Sequence, residues 1–134
     1  MIHGTGSTGP ESWQDGPYVT LLPKRASVDV CYTSLPDRSL GDAQVSAEYV
    51  AYAISTLAPK SNTGKVTTIG HSQGGGFNIQ WALLYWPSTR TLVSNYIALS
   101  GDFKGTALTG PLACAALRLA EEGSCCACLR SKIR

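Results

Sequence analysis

The sequence has little charge, few histidines and no long apolar run. Only 15% of its residues are Asp, Glu, Lys or Arg, and the formal net charge is +2. That balance gives no electrostatic case for binding nucleic acid or an anionic membrane. No apolar stretch approaches the roughly 20 residues of a membrane-spanning helix, so no transmembrane segment is expected. Met1-Ile2-His3 lacks the basic head and apolar middle of a secretory leader, and no targeting signal is visible. The 2 histidines, His3 and His71, are the only imidazoles available for acid–base chemistry. The 5 cysteines are an odd number, which leaves at least one unpaired and gives no reading of redox compartment.

What is present suffices for a core. At 134 residues with 43% hydrophobic sequence, the chain has the size of one domain. Its information is concentrated in Lys65-Val66-Thr67-Thr68-Ile69-Gly70-His71-Ser72-Gln73-Gly74-Gly75-Gly76. Val66 to Ile69 are β-branched residues that suit a buried strand, and Phe77 to Trp86 has helical length. Between them, Gly70-His71-Ser72-Gln73-Gly74 fits G-x-S-x-G, a strand-to-helix turn that lifts a serine hydroxyl clear of the backbone. Such a turn forces the serine into a sparsely populated conformation and leaves no room for side chains two residues to either side.

Around this turn the expected order is β-α-β-α-β. His3 to Pro10 reads as a loop of small residues after a strand stump at Met1-Ile2, and Trp13 to Leu22 as a short helix or loop ended by Pro23. Ser27 to Thr33 alternates as a strand with Val28 and Val30 on one face. Asp42 is the expected N-cap of a helix that stops before Pro59, with Val45, Tyr49, Tyr52, Ala53 and Leu57 facing the sheet. Pro87 halts the helix after the turn, and Asn95 to Leu99 makes a third complete strand. Alternation of this kind predicts an α/β fold, with a mostly parallel sheet and helices on both faces. Sites in such sheets lie at the carboxyl ends of strands, which collects three loops at one rim: His3 to Pro10, Gly70 to Gly76 and Ser100 to Thr106.

These loops carry the parts of an acyl-transfer site. Ser72 is the candidate nucleophile, and the backbone N–H of Gln73 and of Thr5 are the candidate oxyanion donors. His71 adjoins Ser72 in a turn that directs successive side chains apart, and His3 reads as a structural histidine bonded to backbone. Asp102 follows a strand at the same rim and reads as a pocket carboxylate. Cys125-x-x-Cys128 has no second ligand pair to make a zinc site.

Four separated motifs, in order, carry a resemblance. They are His3-Gly4-Thr5-Gly6-Ser7-Thr8-Gly9-Pro10; Asp42-Ala43-Gln44-Val45-Ser46-Ala47-Glu48-Tyr49; Ser72-Gln73-Gly74-Gly75 with Gln80-Trp81; and Asp102-Phe103-Lys104-Gly105-Thr106 with Gly110-Pro111-Leu112. Together they resemble the Candida antarctica lipase B family of fungal α/β-hydrolases, over nearly everything up to Leu112. The resemblance implies a secreted, monomeric serine lipase or carboxylesterase acting on hydrophobic esters at a lipid–water interface, without metal or cofactor. It implies Ser72 as nucleophile, Thr5 and Gln73 as oxyanion donors, and Asp102 lining the acyl pocket. It also implies that the catalytic acid and histidine lie beyond the end of this chain, and that the disulfide partner of Cys31 lies upstream of Met1.

The expected organisation is a partial α/β-hydrolase domain over residues 1–112. Residues 113–134 form an atypical Cys-rich tail, either unstructured or the product of a mispredicted reading frame. Two functional readings stay open. The chain is an ester hydrolase lacking its base, or it is a non-catalytic remnant or gene-model fragment that keeps a lipid-binding pocket.

Overall fold

A computed structural model describes residues 1–105. The chain opens with Met1-Ile2 as a strand stump, then forms α1 (Gly9–Trp13) and α2 (Pro17–Ala26). A tight 3₁₀ turn, Pro36–Ser39, precedes the long helix α3 (Ala43–Leu57). Strand β1 (Val66–His71) leads through the serine turn into a single π-helical turn, Gly74–Asn78, and then α4 (Ile79–Tyr85). A 3₁₀ segment, Pro87–Leu92, delivers β2 (Val93–Leu99).

The sheet is parallel throughout. Strand β1 pairs with β2 from Val66↔Val93 to His71↔Leu99, with an irregularity after Val66 that leaves Ser94 unmatched. The Ser94 hydroxyl occupies that bulge, donating to the Val66 carbonyl at 3.2 Å and meeting the Thr67 hydroxyl at 3.1 Å. On the other side of β1, Ile2 forms single parallel bridges with Gly70 and with Thr33. The α/β class is therefore as expected, but among the described residues only two complete strands form.

The segment Ser27 to Thr33 is not a strand. Ser27 closes α2 in the left-handed region (φ +51°), and Val28 is exposed. The alternating pattern was present, but the neighbouring stump offers only two hydrogen bonds and one bridge, the Thr33 N–H donating to the Met1 carbonyl at 3.1 Å and the Met1 nitrogen donating to the Cys31 carbonyl at 2.6 Å. One bridge cannot organise seven residues into a ladder.

Two helices also differ from expectation. Pro23 lies inside α2, which continues to Ala26. Proline removes one helix donor, and because α2 buries no residue, the orphaned carbonyl one turn earlier has water to bond. Helix α1 begins at Gly9, inside the expected loop. Thr8 caps it, and the Glu11 side chain answers back to the Thr8 N–H at 3.1 Å. The signature Thr8-Gly9-Pro10-Glu11 is a capping box.

Helix α3 starts where the sequence places it, with Asp42 accepting from the Gln44 N–H at 2.7 Å. Its buried face is not the one expected. Ser46, Ala47, Val50, Ala51 and Ile54 are buried, whereas Val45, Tyr49 and Tyr52 are exposed. Both sets recur at helical spacing, so periodicity alone does not choose between them. The buried set is the one on the face that packs against α4 and the Gly74–Asn78 turn. The resulting core joins Ile2, Leu35, Val50, Ala51, Ile54, Ile79 and Ala82 beneath the serine turn.

Candidate active site

Ser72 stands at the end of β1 with φ +52°, a left-handed conformation that costs a non-glycine residue about 1–2 kcal/mol. Backbone hydrogen bonds hold it there. Its N–H donates to the Leu99 carbonyl at 3.0 Å, tying the turn to the tip of β2. Its carbonyl accepts from the N–H groups of Gly75 at 3.0 Å and Gly76 at 2.8 Å, which starts the π-helical turn. A methyl group on Gly70 would lie 2.5 Å from the Gly75 nitrogen. On Gly74 it would strike the backbone carbonyls of His3 and Ile2, so this second glycine makes room for the start of the His3 to Pro10 loop rather than for β1.

The loop from His3 to Pro10 comes to the turn as the strand rule requires. Gly4 packs against Ser72, where a methyl group would lie 3.0 Å from the Ser72 Cβ. The Thr5 hydroxyl donates a short hydrogen bond to the Gln73 side-chain carbonyl. The Thr5 N–H has no partner among the described residues. Gln73 heads the helix, so its N–H is a donor without an intrahelical acceptor. Ser72, Thr5 and Gln73 are thus together at one rim.

His3 is fully buried beneath this loop. Its Nδ1 lies 2.8 Å from the Gly4 carbonyl, and its Nε2 lies 2.9 Å from the Leu35 nitrogen. A carbonyl only accepts and a backbone N–H only donates, so the ring is neutral with its proton on Nδ1. Burial pushes its pKa below the ordinary histidine value, and the Arg38 charge adds to this; the Gly4 bond and Glu11 oppose it. With both nitrogens committed to backbone, His3 has no lone pair for Ser72.

Arg38 and Glu11 complete the loop's support; Glu11 belongs to the capping box with Thr8, whereas Arg38 carries no recognisable signal in the sequence. Asp37, Arg38 and Ser39 take positive φ values of +48°, +53° and +61°, three successive left-handed residues without a glycine. This bend aims both ends of Arg38 at Gly6. The Arg38 carbonyl accepts from the Gly6 N–H at 2.8 Å, and its Nε donates to the Gly6 carbonyl at 2.9 Å. The guanidinium also forks onto Glu11 at 2.6 and 3.1 Å, which lowers the Glu11 pKa. Buried Ser39 accepts from the Asn78 amide at 3.1 Å, linking the bend to the helix behind Ser72.

Asp102 reaches the same rim from β2. It packs on Gly76, where any Cβ would collide with its backbone and carboxylate. Its Oδ1 is buried with no hydrogen-bond partner among the described residues, so burial raises its pKa above the usual carboxylate value. Tyr96 donates a short hydrogen bond to the Gly75 carbonyl, and its pKa is raised by burial and then by the Asp102 charge.

Beside the turn, Ser12, Trp13, Tyr18, His71 and Leu99 line a cleft of about 280 Å³. His71 lines this cleft, and its Nδ1 lies 3.4 Å from where a methyl group on Gly4 would stand. The Trp13 Nε1 is buried with no partner among the described residues. No hydrogen bond from a base to the Ser72 hydroxyl occurs among the described residues. Thr106, Gly110 to Leu112 and the Cys-rich tail lie outside them.

Two comparisons bear on this geometry. Over 112 residues the chain is 38% identical to lipase B of Pseudozyma antarctica, a match covering 84% of this chain and 32% of that protein. The crystal structure of Aspergillus fumigatus lipase B superposes with a TM-score of 0.70 at 37% identity, over 82% of this chain and 26% of that one. Over that stretch the chain is similar to lipase B in both sequence and fold. No family model matches the sequence. The chain spans about a third of the length of the curated relative and about a quarter of the solved chain. Its fold is a partial α/β-hydrolase fold. Among the described residues, no group of three or more His, Cys, Asp or Glu could hold a metal ion, and no helix is long and apolar enough to cross a membrane. Cys31 is exposed and free among the described residues.

Proposed function

We propose that this chain carries the nucleophile and oxyanion half of a serine ester hydrolase for hydrophobic carboxylic esters, of the lipase or carboxylesterase type. Ser72 is the nucleophile, and the N–H groups of Thr5 and Gln73 receive the oxyanion. Asp102 borders the acyl side, and the cleft by His71, Trp13 and Leu99 takes an apolar part of the ester. The substrate meets the rim at a lipid–water interface, and the protein works outside the cell as a monomer, without metal or cofactor.

The observation that supports this reading best is Ser72 at φ +52°, fixed between the Leu99 carbonyl and the Gly75–Gly76 turn. A strained serine at a strand end, beside two unused N–H donors, has the geometry of acyl transfer. The serine adds to the ester carbonyl, the two N–H groups hold the resulting oxyanion, the alcohol leaves, and water hydrolyses the acyl-enzyme. The proton of Ser72 must go to a base; both nitrogens of His3 are committed to backbone, and no hydrogen bond joins His71 to Ser72 among the described residues. Without that base the rate falls by several orders of magnitude, and what remains comes from the oxyanion donors and binding.

That no base is hydrogen-bonded to Ser72 among the described residues also supports a second reading, a binding protein for hydrophobic esters without turnover. Reaction of the 134-residue chain with a fluorophosphonate separates the two, with Ser72→Ala as control. Under the hydrolase reading, Ser72 reacts slowly alone and faster when imidazole is added as an external base. Under the binding reading, a long-chain ester is retained while Ser72 stays unlabelled with or without imidazole.

A further inference from the structure

The two bonds of His3 reach further than its own burial. The Gly4 carbonyl and the Thr5 N–H belong to one peptide group, which is planar and trans. In such a group the C=O and the N–H point in opposite directions. Whatever fixes the Gly4 carbonyl therefore aims the Thr5 N–H. The His3 Nδ1 holds that carbonyl at 2.8 Å, from a ring that is itself fully buried. The ring is held in turn by the Leu35 N–H at 2.9 Å, which can only donate and so keeps the proton on Nδ1.

We infer that His3 is a positioning residue for the oxyanion hole. Its Nδ1–H turns the Gly4 carbonyl inward, so that the Thr5 N–H faces the rim where Ser72 stands. Leu35 sets the tautomer that makes this possible. Several features place the Thr5 amide on that side. Gly4 packs on Ser72, the Thr5 hydroxyl meets the Gln73 side chain, and the Thr5 N–H has no partner among the described residues. Gly6, the next residue, is clamped from outside by Arg38. Between clamp and ring, the Gly4–Thr5 peptide has little freedom to flip. The catalytic meaning of this rests on the esterase reading of Ser72, but the orientation itself does not.

The test uses the full 134-residue chain labelled with ¹⁵N. Long-range ¹H–¹⁵N spectra read the His3 tautomer, and residual dipolar couplings read the Thr5 N–H direction. Wild type is expected in the Nδ1–H form. His3→Asn places an amide donor where Nδ1 stands and keeps the Gly4 bond. His3→Gln places its amide near the Nε2 position and leaves the Gly4 carbonyl unheld. The Thr5 coupling should match wild type in His3→Asn and change in His3→Gln.

An Nε2–H tautomer in wild type overturns the inference, and so does a Thr5 coupling that is the same in both variants. If neither variant folds, the wild-type tautomer decides alone. Imidazole-assisted labelling of Ser72 then tests the consequence. We expect His3→Asn within about threefold of wild type and His3→Gln at least about tenfold slower, a part of the 10²- to 10³-fold effect of losing a whole donor. Equal labelling rates in the two variants overturn the positioning role. Failure of wild type to label removes the esterase reading and leaves the tautomer and coupling result standing.

Discussion

The serine turn and the segment from Pro17 to Ser34 are specified in different ways. At the turn, backbone meets backbone. Gly70 touches Gly74 and Gly75, Gly74 touches Ile2 and His3, and Ser72 is bonded at both its N–H and its carbonyl. In the other region, α2 buries no residue and residues 27–33 contribute one bridge to the sheet. The first arrangement leaves almost no alternative residue at its glycine positions. The second accepts many, because little touches it.

Substitutions can break this contrast, and the largest effect belongs to the turn. Gly74→Ala drives a methyl group into the backbone carbonyls of Ile2 and His3, which cannot move without dismantling the loop that follows them. Destabilisation by more than about 4 kcal/mol is expected, in the exceptional range for a point change. Urea unfolding measures it, and a loss below about 1 kcal/mol would show that the loop yields.

Acid should also act at the turn first. The folded-state pKa of His3 lies below its ordinary value, chiefly through burial, with Arg38 and Glu11 the charged groups facing it. The unfolded chain therefore binds the proton more readily. Stability should be unaffected by His3 above about pH 6.5 and fall as the pH drops below it, because the charged ring would lose its acceptor for the Leu35 N–H. Asp102 acts in the opposite sense, since its raised pKa makes the folded state favour the proton and removes stability as the pH rises above the ordinary carboxylate value. A His3→Asn variant that shows the same decline below pH 6.5 would remove His3 as its cause.

Relief of strain gives a smaller effect of the other sign. Ser72→Gly should stabilise the chain by about 1 kcal/mol, since glycine takes φ +52° without cost, while abolishing any labelling at this position. Thermal unfolding reads the gain. The smallest effect should come from the outer segment. Val28→Ser, at an exposed valine outside any strand, should change stability by less than about 0.5 kcal/mol. A larger loss would mean that residues 27–33 are more organised than one bridge implies.

The same contrast explains what was legible in the sequence. The G-x-S-x-G turn, its strand and the rim that gathers Thr5, Ser72, Gln73 and Asp102 could be read because sterics at glycine leave a mark in residue type. Asp42 could be read because a cap is a local hydrogen bond. The strand at Ser27 to Thr33 and the aromatic face of α3 could not. Those depend on which partner arrives, and alternation or helical period describes only one side of a contact. The capping box at Thr8 and Glu11 was readable, but the run of glycines around it favours a loop. The Arg38 clamp left no trace, because three left-handed residues in Asp37-Arg38-Ser39 contradict local preference and are imposed by tertiary bonds.

The most direct measurement is fluorophosphonate labelling of the 134-residue chain with and without imidazole, beside Ser72→Ala. The account predicts slow modification of Ser72 alone, acceleration by imidazole, and none in the control. Rapid labelling without imidazole would mean that these residues already contain the base, against the bonding seen for His3. No labelling under either condition in a folded sample would mean that the serine and its oxyanion donors are not assembled as a reactive site.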